Sequence, residues 1–149
     1  MSMRREDTEF LTRDLLGLPP ARGESPLLDA DARIARGLPG GALRRVERAT
    51  GMRPAEAAAL LGVHARTLSR LGRRRAARLD SVLSDRLWRF AFAVSRVARV
   101  LESPSAARDW IRQPQYGLGG RTPISLLSTE AGTREVLDLL GRIEHGVLD

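Results

Sequence analysis

The spacing of three residues in the segment PAEAAALLGVHARTLSRLGRRR, residues 54–75, constrains the fold of this chain more than any other feature. Ala58 is small enough for two helices to approach each other closely, and Gly62 can adopt the positive φ of a sharp turn. Leu68, six residues further on, is placed to fill the angle between the helices. The spacing predicts a helix-turn-helix, with a first helix over PAEAAALL and a second over HARTLSRLGRRRAA.

The outward side of the second helix carries the residues that we predict to contact DNA. Helix-turn-helix proteins place this helix in the major groove, where an arginine can fork onto guanine. We assign four arginines to backbone phosphates, which give affinity without choosing a sequence: Arg73, Arg74, Arg75 and Arg78. The full predicted set is His64, Arg66, Thr67, Ser69, Arg70, Arg73 and Arg74. The alternative is a solvated helix face in a protein that does not bind DNA.

Positive charge is concentrated around this motif. The chain has a formal charge of +7 and no lysine, so all 25 basic residues are arginine. Ten arginines and two glutamates between residues 44 and 78 give that window a charge of +8. Two explanations for the exclusive use of arginine stay open: a bias of GC-rich coding sequence, and selection for guanidinium groups that bind phosphate and guanine. The local concentration favours a nucleic-acid partner.

Composition excludes several other kinds of site. The 149 residues contain no cysteine and two histidines. A disulfide framework and a thiolate nucleophile are therefore impossible, and a zinc site is not expected. We predict no metal and no cofactor.

A long helix is predicted over residues 84–103, with Ser84 placed to cap it. Its apolar stripe recurs at helical spacing and consists of Leu87, Ala91, Val94, Ala98 and Leu101. Trp88 and Phe92 lie beside this stripe and make the apolar surface broader than one packing contact needs. Two interpretations are open: a dimer interface formed by Trp88 and Phe92, or a helix that is buried on two sides within one chain.

The N-terminal segment is predicted to be a flexible arm. Residues 1–37 mix short apolar runs with the breaker-rich stretch PPARGESP, which leaves room for a turn or two of helix. The first residues lack the apolar run of a secretory signal, and no window approaches the roughly 20 apolar residues of a membrane span. We expect a cytoplasmic protein with no membrane partner. With helical patterns and no strand pattern, the predicted fold class is all-α.

The segment SLLSTEAGTREVLDLLGRIEHG, residues 125–146, predicts a final amphipathic helix. Thr129 is placed to cap it, with Glu130 in the first turn, where the helix dipole favours an acidic side chain. The predicted buried face consists of Val136, Leu140, Ile143 and Val147.

This closing segment has the form LLxTxxGxxxVxxLLxRIExG, and GLGGRTP and the helix SAARDWIR precede it. Behind an arginine-rich helix-turn-helix, the arrangement resembles the antitoxins of the Xre/MbcA/ParS family, which are partners of RES-domain toxins. The resemblance covers residues 38–149. It implies a helix-turn-helix region over residues 38–78 that represses its own operon and a toxin-binding domain over residues 79–149.

The resemblance also implies the partners and the toxin-binding residues. RES toxins consume NAD, so the chain would be the antitoxin of a type II toxin-antitoxin system that covers the toxin's active site, and not an enzyme. Its expected partners are the RES-domain toxin, operator DNA and a second copy of the chain in a homodimer. The implied toxin-binding residues are Gly120, Arg121, Arg142, Glu144, His145, Val147, Leu148 and Asp149.

The chemistry of the toxin's active-site cleft suggests roles for individual residues. A site for a dinucleotide is electropositive, so the carboxylates of Glu144 and Asp149 could take the place of phosphate there. Arg121 has a rival structural role, which is to cap carbonyls of its own loop. Leu71 and Gly72 stand where the family often has a polar residue, which leaves open a break in the second helix of the motif.

Two other classes of function are alternatives. A stand-alone helix-turn-helix repressor, whose C-terminal helices only dimerise, would explain the basic window but not the RIEHG pattern. An enzyme has little to work with, because Glu144 and His145 are adjacent and therefore point to different sides of a helix.

Overall fold

The computed structural model describes residues 5–74 and 76–147 of the chain. These residues form an all-α fold, as predicted, with nine α-helices, one short 3-10 turn and no β-strand in the described ranges. The helices are α1 Arg5–Leu16, α2 Pro26–Arg36, α3 Gly40–Thr50, α4 Pro54–Leu61, α5 Ala65–Arg73, α6 Ser81–Val100, α7 Pro104–Trp110, α8 Pro123–Leu126 and α9 Glu130–Glu144. The 3-10 turn spans Tyr116–Leu118. No helix in the described part of the chain is long and apolar enough to cross a membrane.

The predicted helix-turn-helix is present as α4, a turn and α5. Gly62 ends α4 with a left-handed φ of 67°, and Ala58 and Leu68 are 7% and 2% exposed. Helix α5 ends at Arg73, four residues before the predicted end, and it continues through Leu71 and Gly72 without a break. A Cβ at Gly72 would lie 2.9 Å from Nε of Arg44, so this glycine permits a close approach to α3.

Helix α6 is the centre of the molecule, and helices from both halves of the chain pack around it. Its start differs from the prediction, because Asp80 caps it by accepting from the Leu83 amide at 2.8 Å. Ser84, the predicted cap, is fully buried and accepts from the Leu38 amide at 2.8 Å instead. Apolar residues on several sides of the helix are buried, including Leu87, Phe90, Ala91, Ala93 and Val97.

The N-terminal residues differ most from the prediction of a flexible arm. Over the described residues 5–37 they form α1 and α2, and both pack against α6. The Arg13 side chain is 4% exposed and donates to the carboxylates of Glu9 at 3.1 Å and Asp29 at 2.7 Å. Asp29 also accepts from Arg33 at 2.7 Å. The Arg33 and Arg13 hydrogen bonds outweigh burial and lower the pKa of Asp29 to about 2.

The C-terminal helices follow the prediction more closely. Thr129 caps α9 by accepting from the Gly132 amide at 3.0 Å, and Val136 and Leu140 are fully buried. A Cβ at Gly132 would collide with the carbonyl oxygen of Leu126, so this position requires glycine. One member of the predicted buried face differs: Val147 lies beyond the end of α9 and is 51% exposed.

Candidate functional site

The outward face of α5 carries most of the predicted DNA-binding residues. His64, Arg66, Arg70, Arg73 and Arg74 are exposed, whereas Thr67 and Ser69 are half-buried at its edge. We call the five exposed residues the recognition face. Arg73 donates to Oγ of Ser69 at 3.1 Å. The helix buries Leu68 and Gly72 on its other side, so the exposed side chains project away from the protein.

Several arginines of the basic window are held by the fold and do not contribute to this face. Arg45 donates to the carbonyl of Asp14 at 2.8 Å, and Arg78 donates to that of Gly37 at 2.8 Å. Arg53 pairs with Glu56 at 3.0 Å. Arg78, which is predicted to contact phosphate, thus has a protein acceptor for one of its donors. Arg75, with the same prediction, lies outside the described residues.

The side chains of four arginines in this window make no hydrogen bond or ion pair among the described residues: Arg48, Arg66, Arg70 and Arg74. Arg48 on α3 and Arg73 on α5 line one groove of about 450 Å³, beside Glu47. Burial raises the pKa of Glu47, against the opposing effect of Arg44. The sequence did not indicate Arg48 as a candidate DNA-binding residue, because no local pattern shows which side of α3 faces α5.

A second candidate surface lies between α6 and α9. We call it the C-terminal groove: a depression of about 600 Å³ lined by Phe92, Arg96, Leu137, Asp138, Gly141, Arg142, His145 and Val147. It brings together Phe92, predicted to lie in a dimer interface, and three of the residues implied to bind a toxin. Apolar and charged groups thus share one open surface at the end of α9.

Glu144 faces a different environment from the one expected. Its carboxylate accepts from Arg96 at 3.0 Å and from Arg99 at 3.1 Å. The Arg99 side chain is 3% exposed, whereas 27% of the Glu144 side chain is exposed. The structure therefore gives Glu144 an ion-pair role that joins α9 to α6, and its expected role as a mimic of phosphate stays a prediction.

The loop that contains Gly120 and Arg121 is a separate exposed surface. Gly120 has a left-handed φ of 79°, and the loop is closed by a hydrogen bond from the Gln115 amide to the carbonyl of Arg121 at 3.0 Å. Within the described ranges the Arg121 side chain caps no carbonyl, so the expected structural role is not observed. The loop does not line the C-terminal groove. Leu148 and Asp149 lie outside the described residues.

Trp88 is buried within the chain, as expected if α6 is packed on two sides and Trp88 does not form a dimer interface. It is 8% exposed, and the Arg13 guanidinium on α1 stands over its ring at 5.3 Å from the centroid. The N-terminal helices therefore cover Trp88 within the chain. Phe92, one turn later, is half-buried and reaches the C-terminal groove.

Arg112 was also missed by sequence reasoning. It follows α7 and donates to the carbonyls of Thr50 at 3.2 Å and Gly51 at 2.7 Å. It also donates to both carboxylate oxygens of Glu56, at 3.2 and 3.1 Å. Although burial opposes the change, hydrogen bonds from Arg53 and Arg112 lower the pKa of Glu56. One guanidinium thus joins the helix-turn-helix to the C-terminal helices.

Comparison with known proteins finds two family models that match this chain. Residues 29–91 match the antitoxin Xre-like helix-turn-helix domain, and residues 96–146 match the antitoxin Xre/MbcA/ParS C-terminal toxin-binding domain. A relative named antitoxin Xre from Yersinia enterocolitica is 34% identical over 141 residues, which cover 94% of this chain and 91% of the relative. The chain belongs to the Xre antitoxin family.

Other antitoxins of the family match over shorter stretches. An antitoxin Xre from Photorhabdus laumondii is 38% identical over 66 residues, covering 44% of this chain and 45% of the relative. One from Pseudomonas putida is 33% identical over 63 residues, covering 42% of this chain and 40% of the relative. The recognition face lies within the matched helix-turn-helix domain, and most of the C-terminal groove lies within the matched toxin-binding domain.

Proposed function

We propose that this antitoxin neutralises an NAD-consuming RES-domain toxin in the cytoplasm and represses its own operon, acting by binding and not as an enzyme. The C-terminal groove and the residues after it would cover the toxin's active site, while the recognition face would contact operator DNA. The observation that carries the toxin assignment is the placement of exposed apolar Val147 beside Arg142 and His145 in that groove. Apolar and charged side chains that share one open surface are typical of a protein interface.

Fewer carboxylates at the C-terminal end are available to mimic phosphate than the sequence suggested. Since Arg96 and Arg99 already hold Glu144, we assign the role of a phosphate mimic to Asp149. Arg121, whose exposed side chain makes no hydrogen bond or ion pair among the described residues, is a second point of contact with the toxin.

Operator binding calls for two copies of the chain. One helix-turn-helix contacts only a few base pairs, and dimers place their two recognition helices about 34 Å apart on the duplex. We propose a homodimer within the toxin-antitoxin complex, and Phe92 is the remaining candidate for its interface. Because Phe92 also lines the C-terminal groove, the dimer interface and the toxin contact would lie side by side on this surface.

Co-expression with the adjacent reading frame tests the proposal. We expect a stoichiometric complex with a RES-domain protein and loss of that protein's NAD consumption. Deletion of residues 147–149 should weaken neutralisation, whereas Val82→Asp, at another exposed valine on the start of α6, should not. Full protection by the truncated chain would reject the role of the tail. If the chain purifies alone and the neighbouring protein is harmless, the chain is a stand-alone repressor.

A further inference from the structure

A pocket lined by arginines lies outside both surfaces described above. It is a depression of about 200 Å³ between α2 and the segment after α5. We call it the arginine pocket, defined by Arg22, Arg33, Arg36 and Arg78 around Asp29. Residues 37–39 also line it, and it is large enough for a phosphate group and a few waters, each of which takes about 30 Å³ in the liquid.

The charge inside the arginine pocket is not balanced by its one carboxylate. Asp29 is committed to Arg13 and Arg33, both at 2.7 Å. Arg78 donates to a neutral acceptor, the carbonyl of Gly37. The guanidinium groups of Arg22 and Arg36 contact no acceptor in the described part of the chain. Several guanidinium groups gathered around one engaged carboxylate favour an anion as ligand.

The position of the arginine pocket indicates which anion. Pro39 and Arg78 form an isolated β-bridge, and the Gly40 amide donates to the carbonyl of Ala77 at 2.8 Å. A Cβ at Gly40 would lie 2.6 Å from the carbonyl oxygen of Arg74, at the end of α5. The segment that carries Arg78 is therefore fixed against the C-terminal end of the helix that bears the recognition face.

We propose that the arginine pocket binds a phosphate of the DNA backbone beside the bases that α5 contacts. This inference rests on the proposed binding of operator DNA and extends the interface to α2, outside the helix-turn-helix itself. Guanidinium groups bind phosphate oxygens through paired, charge-assisted hydrogen bonds. Because a backbone phosphate carries no sequence information, the pocket adds affinity equally to every duplex.

The test is a titration of the full chain with two labelled duplexes of equal length, one from its own promoter region and one unrelated. The double variant Arg22→Gln, Arg36→Gln should bind both duplexes about tenfold more weakly near physiological salt. The slope of log affinity against log salt should become shallower by about 0.9 for each phosphate that the variant no longer neutralises. Arg134→Gln removes an exposed arginine on α9, and it should change neither quantity. Because the Arg22 and Arg36 guanidinium groups have no acceptor within the described fold, the melting temperature should stay unchanged.

Other outcomes overturn the inference in distinguishable ways. If the double variant binds both duplexes like the wild type while Arg66→Gln loses preference for the promoter duplex, α5 binds DNA and the arginine pocket does not. If the wild type binds neither duplex, operator binding and the inference fail together. If inorganic phosphate raises the melting temperature of the wild type but not of the double variant, and DNA binding is unchanged, the pocket holds a free anion. Equal weakening on both duplexes supports the inference.

Discussion

The exposed face of α5 and the inner face of α6 use the same residue type under opposite conditions. On α5 and at the residue after it, three arginines are exposed and donate to no acceptor among the described residues: Arg66, Arg70 and Arg74. On α6, Arg99 is almost fully buried and donates to Glu144 on α9. Formal charge counts both groups alike. Only the position of each side chain relative to a carboxylate separates arginines that stabilise the fold from arginines that are available to a partner.

The positive charge that is available to a partner is therefore found by leaving out the arginines that are paired within the fold. A buried arginine needs its partner, because removing one member of a buried ion pair leaves an uncompensated charge in a poorly solvated place. An exposed arginine is fully hydrated and contributes little to stability. The two groups should respond to substitution in opposite ways, with stability as the readout for one and DNA binding for the other.

Glu144→Ala should have the largest effect on stability. It removes the carboxylate that accepts from both Arg96 and Arg99, and the loss of these charge-assisted hydrogen bonds should cost about 3 kcal/mol. Urea unfolding, followed by far-ultraviolet circular dichroism, gives the free energy of unfolding for both proteins.

The matched control for this change is Glu130→Ala at the other end of α9. Glu130 pairs with Arg134, but the two side chains are 69% and 76% exposed, so the loss should stay near 0.5 kcal/mol. Equal losses for the two variants would contradict the assignment of Glu144 to the fold and return it to the proposed toxin surface.

Arg112→Ala should have the next largest effect and lower the free energy of unfolding by about 2 kcal/mol. The reason is that Arg112 donates to the carbonyl of Gly51 and makes charge-assisted hydrogen bonds to Glu56. Arg112→Lys should recover only part of this loss, since an ammonium group cannot reproduce the forked geometry. Arg121→Ala is the control in the adjacent loop and should leave the unfolding curve in place. If Arg112→Ala unfolds like the wild type, the guanidinium does not join the two halves in solution.

Acid should weaken the N-terminal pairs next. The pKa of Asp29 is depressed from 3.8 to about 2 by Arg33 and Arg13. A group with a lowered pKa in the folded state stabilises the protein above its unfolded pKa, and this contribution disappears as the pH falls from 3.8 through about 2. The melting temperature of Asp29→Asn should therefore be lower than that of the wild type at neutral pH, and the gap should narrow in acid. A constant gap would exclude this titration as the cause.

Local features of the fold were predictable from the sequence. The helix-turn-helix and the cap of α9 depend on short-range chemistry: a glycine at a positive φ, a small residue at a helix contact, and a threonine before the first turn. Gly62 and Thr129 occupy those roles in the structure. Each signal lies within a few residues of the element that it defines.

The rest depends on pairs that are distant in the chain. Arg99 and Glu144 are 45 residues apart, and Arg112 reaches Glu56 across 56 residues. No local period reveals such a pair. The N-terminal helices were missed for the same reason: their short apolar runs look too small to form a core, but Leu16 is buried and Arg13 lies over Trp88 on α6.

The smallest effect on the fold is expected for Arg66→Gln combined with Arg70→Gln. Neither guanidinium makes a hydrogen bond or ion pair with a described residue, so the free energy of unfolding should change by less than about 0.5 kcal/mol. Binding to the promoter duplex should still weaken, by about 1–3 kcal/mol for each arginine that forks onto a guanine. Unfolding and DNA titration on the same preparation separate the two readouts. If the double variant binds DNA normally but has a lower free energy of unfolding, these arginines stabilise the fold, as Arg99 does. The distinction between the two helices would then no longer hold.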